Sequence, residues 1–304
     1  MNAPRLLLFD TASVYFRAFF GMPTSLRAPD GRPVNAVRGL LDYLARFITD
    51  YSPTHVGCCW DNSWRPAWRV ALVPTYKAHR VAHGDIEEVP ADLVAQVPLI
   101  LDVLAALGIA VVGADGYEAD DVIGTLAATS GMPTEVITGD RDLFQVVDDA
   151  AAVRVLYLGR GQGRHDRVDG AWLAERYGVT PQTYADFATL RGDPSDGLPG
   201  VPGIGEKTAA SLLQRYGDLA GILGAAQRGE LSAKQAASLR DSIDYLGAAS
   251  EVVRVARRVP LGTVQLQLRA QPADPERFEA LTAELNLGGT AVRVREAMAQ
   301  ARRT

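Results

Sequence analysis

Four short apolar runs punctuate the first half of this sequence, and acid closes or follows each one. "RLLLFD" (5–10) ends at Asp10 and "HVGCCWD" (55–61) ends at Asp61. "IAVV" (109–112) leads through a loop into "GYEADD", which holds Glu118, Asp120 and Asp121; "TEVIT" (134–138) leads into Asp140 and Asp142. Between them lie segments with helical spacing. One has its stripe at Val37, Leu40, Leu41, Leu44, Phe47 and Ile48, and another runs from Leu93 to Leu107. Strands alternating with helices predict an α/β fold, a mostly parallel central sheet with helices on both faces. In such a sheet function collects at the carboxyl ends of the strands.

The run "GYEADDVIGTLAA" admits two readings. Acids in the first turn of a helix are stabilised by its unpaired N–H groups and dipole, with Val122, Ile123 and Leu126 as a buried stripe. Alternatively, a divalent cation offsets their mutual repulsion. The other strands favour the cation, because one sheet edge would carry seven carboxylates, which cannot all stay ionised in a crevice without counter-charge. All-oxygen ligation points to Mg²⁺ or Mn²⁺ rather than Zn²⁺, since no His or Cys is spaced to bind. The chemistry expected is metal-dependent phosphoryl transfer.

A second stretch, "LRGDPSDGLPGVPGIGEKTAASLLQRYG" (190–217), contains a helix–hairpin–helix type element. Gly203 and Gly205 leave room for a phosphate to approach backbone N–H groups, and a helix starting near Glu206 would aim its N-terminus at it. Lys207 is one of only three lysines in the chain, and Thr208 follows it. Such a grip touches backbone rather than base edges, so it is independent of sequence. An ordinary inter-helix turn is the plainer reading, and the full V-P-G-I-G-E-K-T-A string disfavours it. Just upstream, Asp193 and Asp196 add two carboxylates at i, i+3.

At 304 residues the chain is long enough for two domains. No apolar run reaches the length of a membrane span, and the N-terminal stretch is too short for a signal peptide. Adjacent Cys58 and Cys59 in a strand-like run suit a reducing, cytoplasmic compartment and a buried role. The net charge of −5 is unevenly spread. Residues 1–199 hold 17 basic against 25 acidic side chains, and residues 200–304 hold 14 against 11. An acidic metal site beside a phosphate-gripping module fits this split, as does plain surface variation. The four histidines, His55, His79, His83 and His165, show no ligand spacing.

"YEADDVIGTLA", "TGDRD", "GDPSDGLPGVPGIGEKTA" and "YKAHR" together resemble the 5′-nuclease family: the N-terminal nuclease region of bacterial DNA polymerase I, phage 5′-exonucleases and, more distantly, flap endonucleases. The resemblance runs from about Arg5 to at least Tyr216. It implies a PIN-like nuclease domain over residues 1–180 and a C-terminal helix–hairpin–helix DNA-binding domain over 181–304. It implies two metal ions, the first served by Asp10, Asp61, Glu118, Asp120 and Asp121, directly or through water, and the second by Asp140, Asp142, Asp193 and Asp196. Residues 62–97, with Trp64 and Trp68, would form a helical arch over the site. Lys77 and Arg80, at i, i+3 and on one face if helical, would clamp the scissile phosphate. Phe16 would stack on a base and Arg17 would contact phosphate, although the aromatic density of "VYFRAFF" equally suits a core role for Phe16. The resemblance leaves room for a monovalent cation, K⁺, at the hairpin. One departure is Gly197, where many relatives carry Asn; it is expected to adjust the loop without removing a ligand.

The function expected is a 5′-3′ exonuclease and 5′-flap endonuclease acting on DNA with 5′ flaps, overhangs or nicks, and on RNA–DNA hybrids, in replication and repair. It would be a freestanding, monomeric, cytoplasmic enzyme at the nucleoid, without membrane contact. Two rivals remain: a catalytically weak DNA-binding protein and a metal-dependent ribonuclease. The full set of nine carboxylates disfavours the first, and the hairpin with Lys77 and Arg80 disfavours the second.

Overall fold

Strand β1 (Leu6–Asp10) is buried at all five positions, as its uninterrupted apolar run requires of a strand covered on both faces. The computed structural model describes residues 3–84, 86–159 and 163–302. After β1 come helices α1 (Thr11–Gly21) and α2 (Asn35–Tyr51), strand β2 (His55–Cys59) and the short helix α3 (Ala67–Leu72). A small hairpin, β3 (Val81–His83) with β4 (Ile86–Glu87), precedes α4 (Ala91–Val94), α5 (Val97–Leu107) and β5 (Ala110–Val112). Helix α6 (Ala119–Thr129) leads to β6 (Thr134–Thr138), β7 (Val153–Tyr157) and β8 (Asp166–Val168). The remainder is helical: α7 (Gly170–Tyr177), α8 (Pro181–Arg191), α9 (Glu206–Tyr216), α10 (Leu219–Gln227), α11 (Ala233–Asp241), α12 (Ile243–Val253), α13 (Pro275–Glu284) and α14 (Gly289–Ala301).

The main sheet has the order β5-β2-β1-β6-β7-β8 and is parallel except for β8. Asp10 therefore stands level with Cys59 at the carboxyl end of the sheet, and Phe9 with Ile137. The acids after β2 and β6 emerge on the same edge. Two apolar cores flank the sheet. One joins α1, α2 and α5 to Phe278, Leu281, Val294 and Met298 of the last two helices. The other joins α6 to α7–α10.

Residues 225–242 form two helices, because the chain turns after Gln227 and Ser232 caps α11. Residues 264–270 run extended and bridge to β2 at His55–Gln267. Helix α13 packs on α5 and α14 on α2, returning the end of the chain to the nuclease half. Among the described residues, no helix is long and apolar enough to cross a membrane.

Candidate active site

The carboxyl edge of the sheet opens into a cleft of about 770 Å³. Asp10, Asp61, Glu118, Asp120, Asp140 and Asp193 line it, together with Lys77, Arg80 and Phe16. Strand ends, a helix start and the turn after α8 thus bring acids from across 184 positions, 10 to 193, to one place. Asp121, Asp142 and Asp196 are not among its lining residues.

Each acid is positioned by its element. Asp10 caps α1 by accepting from the Ser13 N–H, and the Thr138 hydroxyl at the end of β6 donates to its other oxygen at 2.6 Å. Asp61 accepts from the Ala119 N–H at 2.8 Å, fastening β2 to the start of α6. Asp140 accepts from the Asp142 N–H and donates its own N–H to Thr138 Oγ1. Asp193 accepts from Ser195 through both the backbone N–H and the hydroxyl.

The two readings of the acidic helix start are divided between neighbours. Asp120 faces the cleft, whereas Asp121 is fully buried at 0% exposure and bound elsewhere. Its oxygens accept from Arg69 Nη1 at 2.8 Å and Nη2 at 2.7 Å, from the Glu118 N–H and from the Ala256 N–H. A fork-on-fork pair of this kind fills the lone pairs a cation would use. Asp121 is placed to hold the helix start, so any service to the first metal would be indirect.

Arg69 is the residue that sequence reasoning missed. It is 2% exposed, and also donates to Glu118 Oε2 at 2.6 Å and to the Val252 carbonyl at 3.0 Å. Tyr76, also unforeseen, donates its hydroxyl to Glu118 Oε2 at 2.8 Å. Nothing in "WRVAL" signals a buried arginine. Glu87, Glu88 and the 70% exposed Phe20 line the cleft as well; Phe20 sits one helical turn beyond Phe16, a spacing that could have drawn attention to it.

Residues 62–97 do not form a long helix. They give the one-and-a-half-turn α3, a single 3₁₀ turn at Ala78–Arg80 and the β3-β4 hairpin before α4. Lys77 has left-handed backbone, φ 48°, so the expected helical face shared with Arg80 is absent. Both still reach the cleft. Lys77 Nζ pairs with Glu118 Oε1, and Arg80 Nη2 with Asp196 Oδ1 at 2.9 Å. Gly197 has φ 73°, and a Cβ there would collide with the Thr75 carbonyl oxygen. The Thr75 hydroxyl donates to the Gly197 carbonyl and the Lys77 N–H to that of Asp196. The glycine therefore lets the Lys77 segment close onto the Asp193–Asp196 turn, a larger role than a loop adjustment.

Phe16 is half-buried, lines the cleft and stacks on Tyr15. Arg17 lies against Gly139 with its Nε buried and without a hydrogen-bond partner. The hairpin residues do not line the acidic cleft. Gly203 has φ 79°, Gly205 caps α9 without a side-chain hydrogen bond, and Lys207 is exposed beside a half-buried Thr208. The side chain of Lys234 approaches Gly203.

The electrostatics fit a divalent cation. Burial pushes the Asp10 carboxyl up to about 7, against the Thr138 hydrogen bond and helped by Asp61 and Asp140. Burial, then repulsion from Asp140 and Asp10, holds Asp120 well above the usual range; burial, then Asp140 and Asp196, does the same for Asp142. Asp61 and Asp196 move the same way, mainly through burial. One oxygen of Asp142 is buried with no hydrogen-bond partner, which a hard cation would satisfy. Among the described residues no three of these side chains are gathered into a ready-made ligand set; the acids ring the cleft. Lys77 is opposed by burial, but Glu118 raises its pKa well above the ordinary value.

Comparison with known proteins agrees with this arrangement. Residues 5–178 match the family model "5′-3′ exonuclease, N-terminal resolvase-like domain", and residues 179–276 match "5′-3′ exonuclease, C-terminal SAM fold". The chain belongs to the 5′-3′ exonuclease family. A 5′-3′ exonuclease of Streptomyces coelicolor is 56% identical over 295 residues, covering 95% of this chain and 98% of that one. A 5′-3′ exonuclease of Mycobacterium tuberculosis is 48% identical, covering 98% of each. Among solved structures, a bacteriophage T5 D15 flap endonuclease variant in a pseudo-enzyme–product complex with DNA and metal ions shares the fold, with TM-score 0.64 and 16% identity over 99% of this chain and 100% of that one. Within this family's two matched regions, the cleft falls on the resolvase-like part plus the Asp193–Asp196 turn.

Proposed function

We propose that this 5′-3′ exonuclease family member is a structure-selective 5′-3′ exonuclease and 5′-flap endonuclease, removing displaced strands and primers in replication and repair. The observation that carries the reading is the single cleft in which six carboxylates from four strand ends and the α8 turn meet Lys77 and Arg80. Asp10, Asp61, Glu118 and Asp120 would hold one divalent cation, Mg²⁺ or Mn²⁺, and Asp140, Asp142, Asp193 and Asp196 a second. The cations would supply neutralisation of phosphate charge and acidification of water. Asp121 acts from behind, holding Arg69 and the Glu118 backbone in place.

The chain's own groups do the rest. Lys77 and Arg80 meet the charge that builds on the phosphoryl oxygens as the bond breaks. Thr138 keeps Asp10 turned towards the cleft. Phe16 and Phe20 offer stacking faces to unpaired bases, worth about 1–3 kcal/mol per base, and Arg17 supports the Gly139–Asp140 turn. The backbone at Gly203 and Gly205, with Lys207 and Thr208, grips the duplex and can host a K⁺ ion. Products would carry a 5′-phosphate and a 3′-hydroxyl. The enzyme is expected to act as a cytoplasmic monomer and to accept RNA at the 5′ end.

The test is cleavage of a 5′-labelled flap duplex with Mg²⁺, with EDTA, and by an Asp120→Asn variant. Cleavage near the junction, lost with EDTA and in the variant, is the expected result. Metal-independent binding of the same duplex without cleavage would replace the enzyme with a binding protein.

A further inference from the structure

After α12 ends at Val253 the chain continues without helix or strand through Arg254, Val255, Ala256, Arg257 and Arg258. Val255 is buried, whereas all three arginines are exposed. They line a groove of about 500 Å³ together with Gln145 and, near the start of α8, Pro181, Gln182 and Ala185. Among the described residues no acid lines it, in a chain with 36 acidic against 31 basic side chains.

The segment is firmly held. Gln145, itself buried, accepts from the Val255 N–H at 3.0 Å and donates to the Val253 carbonyl at 2.9 Å. The Ala256 N–H donates to Asp121 and the Val259 N–H to Thr125, both on α6. Arg254 pairs with Asp186 at 2.8 Å, so one of the three charges is offset. Arg257 donates to the Gln145 carbonyl at 2.8 Å, a neutral acceptor that leaves its charge uncompensated. Among the described residues no carboxylate pairs with Arg257 or Arg258. Two guanidinium groups without a carboxylate partner, on a fixed backbone and in a groove shared with the N-terminal end of α8, form a preorganised anion site.

We propose that this groove is a further contact for the phosphate backbone of a DNA arm, outside both the acidic cleft and the hairpin. The proposal rests on the DNA-processing reading above and adds where the arm goes. Helix α8 spans the distance between the two sites, from Pro181 at the groove to Arg191 beside Asp193. Its 11 residues at about 1.5 Å each give roughly 16 Å. At about 3.4 Å per nucleotide this is roughly five nucleotides of one strand. An arm shorter than that cannot reach both sites. Guanidinium forks match phosphate oxygens, and a backbone contact needs no base reading, in keeping with a structure-selective enzyme.

The test is the salt dependence of binding by the full chain to a labelled flap duplex in EDTA, measured by fluorescence anisotropy. The Arg257→Glu/Arg258→Glu variant should bind at least about tenfold more weakly, with a log–log salt slope shallower by about 2, since each lost phosphate contact removes about 0.9. Its thermal melting should match the wild type, and cleavage at saturating DNA with Mg²⁺ should be unchanged. If that variant is unfolded, Arg258→Gln alone should lower the slope by about 1. Wild-type affinity and slope in either folded variant would overturn the proposal, and would leave an acidic protein segment as the groove's occupant. Failure of the wild type to cleave flaps would instead strike the enzyme reading, because the binding difference is read without metal.

Discussion

Lys77 Nζ lies 2.5 Å from Glu118 Oε1, while Arg69 and Tyr76 occupy the other oxygen of that carboxylate. Arg80 leans in the same way on Asp196. Each cation assigned to the substrate thus rests on a carboxylate assigned to a metal. A divalent ion and the Lys77 ammonium would compete for Glu118. Lys77→Ala should therefore bind Mn²⁺ more tightly, by about tenfold given a partly screened charge pair, while flap cleavage falls by roughly 10²–10³. Titration calorimetry with Mn²⁺ decides this, and unchanged or weaker Mn²⁺ binding by the variant would refute the competition.

Adjacent Asp120 and Asp121 should answer the same substitution differently. Asp121→Asn leaves a buried arginine with half its counter-charge, and breaking such a pair typically costs about 3–5 kcal/mol. Asp120→Asn removes repulsion from the cleft, so the metal-free protein should gain about 1 kcal/mol while cleavage is abolished. Urea denaturation in EDTA measures both. A loss of activity in Asp121→Asn with no loss of stability would return that residue to the metal.

Gly197→Asn introduces the side chain that the family resemblance implies at this position, and it should harm this chain. Asn tolerates left-handed backbone, so the obstacle is the Thr75 carbonyl against its Cβ. Pushing the Thr75–Lys77 segment away should cost about 1–3 kcal/mol and lower cleavage through misplaced Lys77. Wild-type stability and rate in this variant would show that the contact is slack.

The raised carboxyl of Asp10 fixes the sign of a pH effect. With a folded-state value of about 7 against an ordinary 3.8, the folded chain holds this proton more tightly than the unfolded one. Through Asp10, metal-free stability should therefore fall as pH rises from about 4 to about 7. Asp120 and Asp142 add in the same direction. Urea midpoints in EDTA across that window should decline for the wild type and less for Asp10→Asn; a rise with pH would contradict the burial of these acids.

The sheet and its acidic edge were legible because apolar runs of five residues between helical stripes leave few ways to pack, and parallel strands must end on one side. "TGDRD" and "GYEADD" could therefore be placed before any coordinates. The division of labour between Asp120 and Asp121 was not legible, since adjacent acids at a helix start differ only in which way they face, and that is decided by Arg69. An arginine in "WRVAL" reads as a surface residue until its partners, 49 and 52 positions away, are known. The alternation in "VQLQLRA" reports a half-buried extended segment, which this is, and it meets β2 at a single bridge, His55 to Gln267. Around Lys77 the chain does not run on as helix for a local reason: α3 lies between Pro66 and Pro74, and Lys77 turns left-handed.

Arg69 joins three stretches that are remote in sequence: its own short helix, the start of α6 and the carbonyl of Val252. Farther on, Leu268 donates to Thr54, and α14 lies along α2. A fragment cut at about residue 180 would keep every sheet acid and still strand a buried guanidinium and bare one apolar flank. The catalytic half is consequently not a portable module. Anyone grafting this cleft onto another enzyme, or shortening it for expression, has to carry the later helices along as scaffold.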